Sequence, residues 1–386
     1  MGRREELEAK LIENPNDIDA RQVYADLLQS AGDPRGELIM LQHKTPDEAE
    51  EFFETHMEAL LGPLTRYTTT FDGSSEEAFV WHLGFIRSAK FGYDTNTADD
   101  VEIVDGPDIA LEVGIAELLR HPSGLLLEQL VVTINMLDDG SYFDPIVKAI
   151  ASVGSPSLRK LRLGEFSCAG GPGGAESDYE YEMSWTSLGD ASGMWSKLPR
   201  LEELVLQVGL GGSSAEGTTD VIGTFELPKL RRLEVITGGM SQSCMQSFGS
   251  AKLPEATYID LWFGSANYGA GGTVLELAPL LAGTHVPKLA HLGLMNSEIS
   301  DSICAALASS QILPRLTELS LAYGTMTDDG AKALAAHPAA LGKLSVLDVR
   351  ANCLTPAGVE LLRACCANVL ADDQKGEDER YVSLSE

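Results

Sequence analysis

The stretch Leu316-Thr317-Glu318-Leu319-Ser320-Leu321 is repeated 28 residues later as Leu344-Ser345-Val346-Leu347-Asp348-Val349. Both follow the pattern Leu-x-x-Leu-x-Leu, in which a valine can take the last place. Six clear copies begin at Leu158, Leu201, Leu230, Leu289, Leu316 and Leu344, and two weaker copies begin at Leu127 and Ala256. Their first residues are 31, 43, 29, 26, 33, 27 and 28 residues apart. This spacing indicates a chain built from repeated units of similar length.

The period and the pattern are typical of a leucine-rich repeat. The segments 326–334 and 354–362 resemble the helical return segments of ribonuclease-inhibitor-type repeats. Within each copy the last two leucines alternate, so they point to one face of a short strand and need a return helix to cover them. We therefore expect an α/β leucine-rich repeat solenoid of about eight repeats, a horseshoe with parallel strands on the concave face and helices on the convex face. Asn296 and Asn352 are expected to hydrogen-bond the backbone at the bend after a strand.

The N-terminal segment carries a different set of motifs. It contains Asn14-Pro15, Tyr24-Ala25-Asp26-Leu27-Leu28, Gly32-Asp33-Pro34-Arg35-Gly36-Glu37 and Leu41-Gln42. This string resembles the bacterial repeat-companion domain, a short helical module that accompanies repeat arrays. The resemblance implies a bacterial protein and assigns no activity.

The chain is expected to divide into four parts. We predict a helical module over 1–62, cap strands and a connecting loop over 63–108, the repeat solenoid over 109–370 and a polar tail over 371–386. The tail is expected either to fray or to add a final strand through its segment 381–384.

Composition narrows the classes of partner. Arg and Lys number 28 against 58 Asp and Glu, a formal charge of −30. Such a charge disfavours binding to nucleic acid or to an anionic membrane. It is consistent either with solubility alone or with a basic protein partner. Six cysteines without a Cys-x-x-Cys pair, and a start without a secretory signal, favour a reducing cytoplasm.

No enzyme signature is present in the sequence. The seven histidines are scattered, and no Gly-x-Ser-x-Gly elbow, phosphate loop or paired metal-ligand spacing occurs. We therefore predict a non-catalytic scaffold or adaptor with no catalytic, cofactor-binding or metal-binding residues. The alternative is a regulator of a small GTPase, since the repeats also resemble those of Ran GTPase-activating proteins; this analogy concerns the fold only.

The binding residues are predicted from the strand register. The x positions of each strand face away from the leucines, onto the concave face, and aromatic, Met and Arg side chains there are the types enriched at interface centres. The candidates on this face are Tyr258, Trp262, His291, Met295, Asp348 and Arg350. Tyr181 and Trp185 are further candidates, in an insertion over 165–195. The alternative for Tyr258 and Trp262 is a shifted register that makes them core residues.

Overall fold

The structure is a computed structural model that describes residues 2–67, 78–92, 110–133, 141–165, 183–212 and 219–385. The predicted connecting loop before residue 109 lies almost wholly outside the described residues. The predicted contact residue Tyr181 lies outside them as well. No helix among the described residues is long and apolar enough to cross a membrane.

One large sheet runs through the described chain. Its eleven strands, in spatial order, are β1 (Phe79–His82), β2 (Phe85–Phe91), β3 (Gln129–Val132), β5 (Lys160–Leu163), β7 (Glu203–Gln207), β8 (Arg232–Ile236), β9 (Tyr258–Gly264), β10 (His291–Ser297), β11 (Glu318–Ser320), β12 (Val346–Asp348) and β13 (Val369–Leu370). Only β1 pairs antiparallel, with β2; every later pair is parallel. Strands β4 (Ser141–Tyr142) and β6 (Thr186–Ser187) form a separate parallel pair. This topology confirms the predicted α/β leucine-rich repeat solenoid.

The strand register aligns the repeats as the sequence pattern does. One row across the sheet joins Lys160, Glu203, Arg232, Tyr258, His291, Glu318 and Val346. A second row joins Arg162, Val205, Glu234, Asp260, Gly293, Ser320 and Asp348. Both rows face away from the leucine core, on the surface that we call the concave face.

The leucines between these rows form the core. Leu204, Leu292, Leu319 and Leu347 are almost completely buried, in one continuous cluster that extends from the hairpin to the last repeat. Burying each such side chain contributes about 1.5–3 kcal/mol. The helices α5 (Leu111–Arg120), α6 (Asp144–Val153), α7 (Gln242–Gly249), α8 (Ala278–Ala282), α9 (Ser300–Ala308), α10 (Asp328–Ala335), α11 (Pro338–Leu341) and α12 (Pro356–Arg363) lie between the strands in the chain.

Three aromatic rings connect neighbouring repeats. Between β7 and β8 the described chain has no helix, and Trp195, Phe225 and Phe248 pack edge to face along the solenoid. The indole nitrogen of Trp195 donates to the carbonyl of Ile222 at 2.7 Å. Phe248 belongs to α7, so the rings link the stretch without a helix to the return helix of the next repeat.

The N-terminal helices form a module with its own core. They are α1 (Arg3–Glu13), α2 (Ile18–Ser30), α3 (Arg35–Lys44) and α4 (Pro46–Leu61). Leu11, Tyr24 and Leu28 pack in this core with Phe85 of the hairpin. Gly84, at φ +81°, lies between α3 and the hairpin, where an added Cβ would be 2.4 Å from a side-chain carbon of Ile39. The module therefore packs directly on the strands that begin the sheet.

The C-terminal segment neither frays nor adds a final strand through 381–384, so both predictions for it are wrong. The ninth repeat strand β13 comes earlier, at Val369–Leu370, and the segment 380–385 crosses over the loops that follow β8 to β11. Val382 and Leu384 are buried there. Backbone and side-chain hydrogen bonds hold the segment in place, so it neither frays nor extends the sheet.

The two predicted bend asparagines have different roles. Asn352 donates to the carbonyls of Leu321 and Val349 and accepts from the amide of Met326, as expected for a bend residue. For Asn296 the prediction is wrong. It stands one position before the equivalent place, which Ser297 occupies, and its amide binds the backbone of Ser383 and Leu384 instead.

Candidate functional site

A pocket of about 370 Å³ opens on the concave face between β8 and β12. We call it the concave pocket. The residues that shape it are Arg232, Glu234, Tyr258, Asp260, Trp262, His291, Met295, Glu318, Ser320, Tyr323, Asp348 and Arg350. Five neighbouring strands thus contribute side chains to one cavity, because the repeat places each of them at the same height on the sheet.

Three planar groups are stacked at one side of the concave pocket. The guanidinium carbon of Arg232 lies 3.7 Å from the centre of the Tyr258 ring, and that ring lies parallel to the imidazole of His291, 4.0 Å between centroids. The three residues occupy the same row on β8, β9 and β10. Arg232 is also paired with Glu234. The stack is therefore fixed from both ends.

His291 is held between two carboxylates. Its Nε2 lies 2.7 Å from Oδ1 of Asp260, and its Nδ1 lies 2.9 Å from Oε2 of Glu318. Burial alone lowers the pKa of His291, but the hydrogen bonds and charges of Asp260 and Glu318 outweigh it, so the pKa is raised above 6.5. Asp260 also accepts a hydrogen bond from the hydroxyl of Tyr258. Burial and this bond together raise the pKa of Tyr258.

Arg350 and Asp348 form a bidentate pair at the other side. Nε and Nη2 of Arg350 donate to the two carboxylate oxygens of Asp348 at 3.0 and 2.7 Å. This pairing raises the pKa of Arg350. The guanidinium also lies 6.0 Å from the ring centre of Tyr323, which stacks on Trp262 at 5.1 Å.

The apolar part of the site is covered by the chain itself. Trp262 and Met295 lie on the concave face, but they are only 3 % and 6 % exposed. They pack with Ile236, Met183 and Leu384 in a small cluster separate from the leucine core. The register is therefore not shifted, and the alternative that made Trp262 a residue of the leucine core is not what the structure has. The expectation that both side chains are exposed is wrong, because the C-terminal segment lies over them.

The other candidates are placed as follows. Tyr258, His291, Asp348 and Arg350 meet in the concave pocket, as the register predicts. Trp185 ends a short 3₁₀ turn, Met183–Trp185, and the position of its side chain lies outside what the structure describes. Tyr323 and Ser320 were not singled out as hot spots. Tyr323 follows the last leucine of its repeat by two residues, and its φ of +67° turns it toward the pocket.

Ser320 and His291 both line the concave pocket, but the hydroxyl of Ser320 does not hydrogen-bond His291. His291 lies one strand away from Ser320, but both ring nitrogens of His291 already contact carboxylates, so neither is free to take a proton from a serine hydroxyl. Across the described residues no group of His, Cys, Asp and Glu side chains is arranged to hold a metal ion. What the pocket offers is shape, charge and hydrogen-bonding groups.

Comparison with known proteins supports the fold. The leucine-rich repeat family model matches residues 314–335, which span β11 and all of α10. A crystal structure of a Bacteroides fragilis protein is similar over 88 % of this chain and 87 % of its own, with 20 % identity and a TM-score of 0.59. An internalin of Listeria monocytogenes aligns over 68 % of this chain and 84 % of its own at 12 % identity, but its TM-score of 0.29 is too low to carry a conclusion. No curated protein matches the sequence.

Proposed function

We propose that this leucine-rich repeat protein is a non-catalytic scaffold or adaptor that binds a protein partner on its concave face, at and around the concave pocket. The main support is the order of the side chains there. Arg232, Tyr258, His291 and Arg350 are aromatic or charged, and each is held by a neighbour through a hydrogen bond, an ion pair or ring stacking. A surface that is ordered before binding loses little side-chain entropy on association.

A second support comes from the segment 380–385. It is an extended piece of polypeptide that already lies against the loops after the strands, and it is held through backbone and side-chain groups of Asn296, Tyr323 and Ser265. The loops that follow the strands thus have hydrogen-bonding groups suited to an extended chain.

The cellular setting is part of the proposal. We place the protein in the reducing cytoplasm of a bacterium, with the N-terminal helices as a repeat-companion module. The cysteines in the described residues, Cys244, Cys304, Cys353, Cys365 and Cys366, are all free thiols, which agrees with a reducing compartment. Cys168 lies outside the described residues.

The test compares two double variants with equal changes in charge. Glu203→Arg with Glu318→Arg alters two exposed positions of the concave face, and Asp329→Arg with Glu360→Arg alters two exposed positions on α10 and α12. Each purified protein is used to capture partners from host lysate, with mass spectrometry as the readout. We expect the concave variant to lose a partner that the wild type and the helix variant retain.

Two results would contradict the proposal. Equal capture by all three proteins would mean that the concave face does not contact the partner. Equal loss in both variants would mean that net charge alone governs capture. Circular dichroism of each variant checks that the repeats stay folded.

A further inference from the structure

Ser320 has an unusual position in the concave pocket. It is 6 % exposed, and its Oγ is buried without a hydrogen-bond partner among the residues that the structure describes. A buried hydroxyl without a partner is destabilising, because it has lost its hydrogen bonds to water. Ser320 nevertheless lines the cavity instead of the leucine core, since its neighbours Leu319 and Leu321 take the core positions. An orphan hydroxyl facing a cavity points to a group that enters from outside.

A glycine lets the carboxylate of Asp260 approach Ser320. Gly293 lies beside Ser320 in the same row, with Asp260 on its other side. A Cβ at Gly293 would be 2.0 Å from Oδ1 of Asp260 and 3.1 Å from the terminal carbon of Met295. Because Gly293 has no side chain, the carboxylate of Asp260 extends over it, on the side of the pocket where Ser320 lies.

The charges around Ser320 favour a cation. Four carboxylates line the concave pocket, on Glu234, Asp260, Glu318 and Asp348, against two guanidinium groups. Both arginines are already paired, Arg232 with Glu234 and Arg350 with Asp348. Asp260 and Glu318 share His291, and Asp260 also accepts from the hydroxyl of Tyr258. One imidazole can balance at most one of these two carboxylate charges, so the pocket favours an entering cation over an anion.

An aromatic ring borders the same pocket. Tyr323 is half-buried and has the left-handed φ of +67°, which a bulky side chain rarely adopts. It is kept there by its amide, which donates to the carbonyl of Arg350 at 2.9 Å, and by its carbonyl, which accepts from Ser383. Its ring stacks on Trp262, and the guanidinium of Arg350 lies 6.0 Å from the ring centre, so this part of the pocket already holds one cation beside an aromatic ring.

We infer that the concave pocket receives the guanidinium or ammonium group of an arginine or lysine side chain from the protein partner, with the Oγ of Ser320 accepting a hydrogen bond from it. This inference rests on the proposed function and adds the chemistry of the partner. Asp260 and Glu318 supply the opposing charge.

The experiment uses the whole protein with methyl-labelled methionine, whose Met295 methyl group reports from the pocket. The Met295 signal is assigned with Met295→Leu. The probes are N-acetyl-arginine methylamide, its lysine counterpart, and the uncharged citrulline analogue. We expect the Met295 signal to shift with the two cationic probes and not with citrulline.

Ser320→Ala tests the hydroxyl, and Thr317→Ala, three residues earlier and outside the pocket, is the matched control. We expect Ser320→Ala to weaken arginine binding on the order of tenfold and Thr317→Ala to leave it unchanged. A peptide Gly-Gly-Arg-Gly-Gly that binds more tightly than free spermidine supports a protein source for the cation.

Several outcomes would overturn the inference. They are equal shifts with citrulline, no effect of Ser320→Ala, or tighter binding of spermidine than of the arginine peptide. If partner capture still depends on the concave face, such outcomes remove the inference and leave the proposed function standing. Arginine binding that is intact, together with partner capture that does not depend on the concave face, would remove the proposed function instead.

Discussion

The side-chain amide of Asn296 clamps the backbone of Leu384. Its Nδ2 donates to the carbonyl of Leu384 at 2.5 Å, and its Oδ1 accepts from the amides of Ser383 and Leu384 at 2.9 Å each. Asn296 is fully buried and has a φ of +53°, a conformation that asparagine tolerates better than most residues. One side chain thus connects β10 to a segment 88 residues away in sequence.

Replacing Asn296 should release this segment. Asn296→Gly removes the three hydrogen bonds without straining the backbone, at a cost of about 2–4 kcal/mol, since each bond contributes about 0.5–1.5. The measurement is hydrogen exchange of the amides of Ser383 and Leu384, which should become much faster. Asn267→Ala, which removes only an exposed contact to Tyr381, is the control and should leave those amides protected. Unchanged exchange in Asn296→Gly would show that the hydrogen bonds of Asn296 do not hold the segment in place.

The rate of methionine oxidation should report whether the C-terminal segment covers Met295 in the concave pocket. Removal of 381–386 should expose Met295, which now packs with Leu384, so that peroxide oxidises it faster. Met326, buried in the leucine core, should stay protected in both forms and is the internal control. The readout is peptide mass spectrometry. Equal rates at Met295 with and without the segment would show that it does not cover the side chain.

The sequence was sufficient to predict the repeats and their register, but it was insufficient to predict where the C-terminal segment 380–385 lies. Leucines at fixed spacing determine which face of each strand is buried, so the rows through Tyr258 and Asp260 follow from pattern alone. The cover over Trp262 depends on contacts between β10 and residues 383–384, and no periodicity marks a contact of that separation. For the same reason Tyr323 was not predicted, and Ser320, which the register places on the concave face, was not singled out: the first needs a positive φ, and the second is distinguished by a partner that it lacks.

Substitutions at two adjacent residues on opposite faces of β11 should have different effects on the free energy of unfolding. Leu319→Ala should lower the free energy of unfolding by about 2–5 kcal/mol, because it opens a cavity in the leucine core. Ser320→Ala removes an unpartnered hydroxyl and should leave stability unchanged or raise it by about 1 kcal/mol. Urea denaturation of both variants checks the pair. A loss of several kcal/mol in Ser320→Ala would mean that its hydroxyl has a structural partner.

His291 should make stability depend on pH. Its pKa is raised in the folded state, so its contribution is fully present below about pH 6.5 and is lost as the pH rises through the folded pKa. The groups that face it are Tyr258 and Asp260 from β9 and Glu318 from β11. His291→Asn should therefore cost more stability at pH 6 than at pH 9 in urea denaturation. The exposed His337→Asn is the control. An equal cost at both pH values would contradict the prediction.

The same protonation should oppose cation binding in the concave pocket. A charged His291 neutralises Asp260 and Glu318 from within, so an arginine probe should bind more weakly at pH 6 than at pH 8.5. The measurement is the titration of the Met295 methyl signal at the two pH values. Binding that strengthens toward pH 6 would mean that the probe does not use these carboxylates.

Arg21 should couple the N-terminal helices to the sheet. It is buried, and its guanidinium donates to the carbonyl of Pro15 and, at 2.8 Å, to the carbonyl of Leu83 in the hairpin turn. Burial lowers its pKa to about 10, so it remains charged at neutral pH. Arg21→Ala should cost about 3 kcal/mol or more, since hydrogen bonds from a charged donor contribute about 1.5–3 each.

The stability lost in Arg21→Ala should be confined to the N-terminal helices. Stability in a solenoid passes mainly between neighbouring units, so hydrogen exchange in Arg21→Ala should accelerate in α1 to α4 and remain slow in β9 to β12. Arg4→Ala, which breaks only the exposed pair with Glu8, is the matched control and should change exchange little. If protection in Arg21→Ala fell evenly along the whole chain, the helical module and the repeats would be one cooperative unit, and the attachment at Leu83 would not be a separable contact.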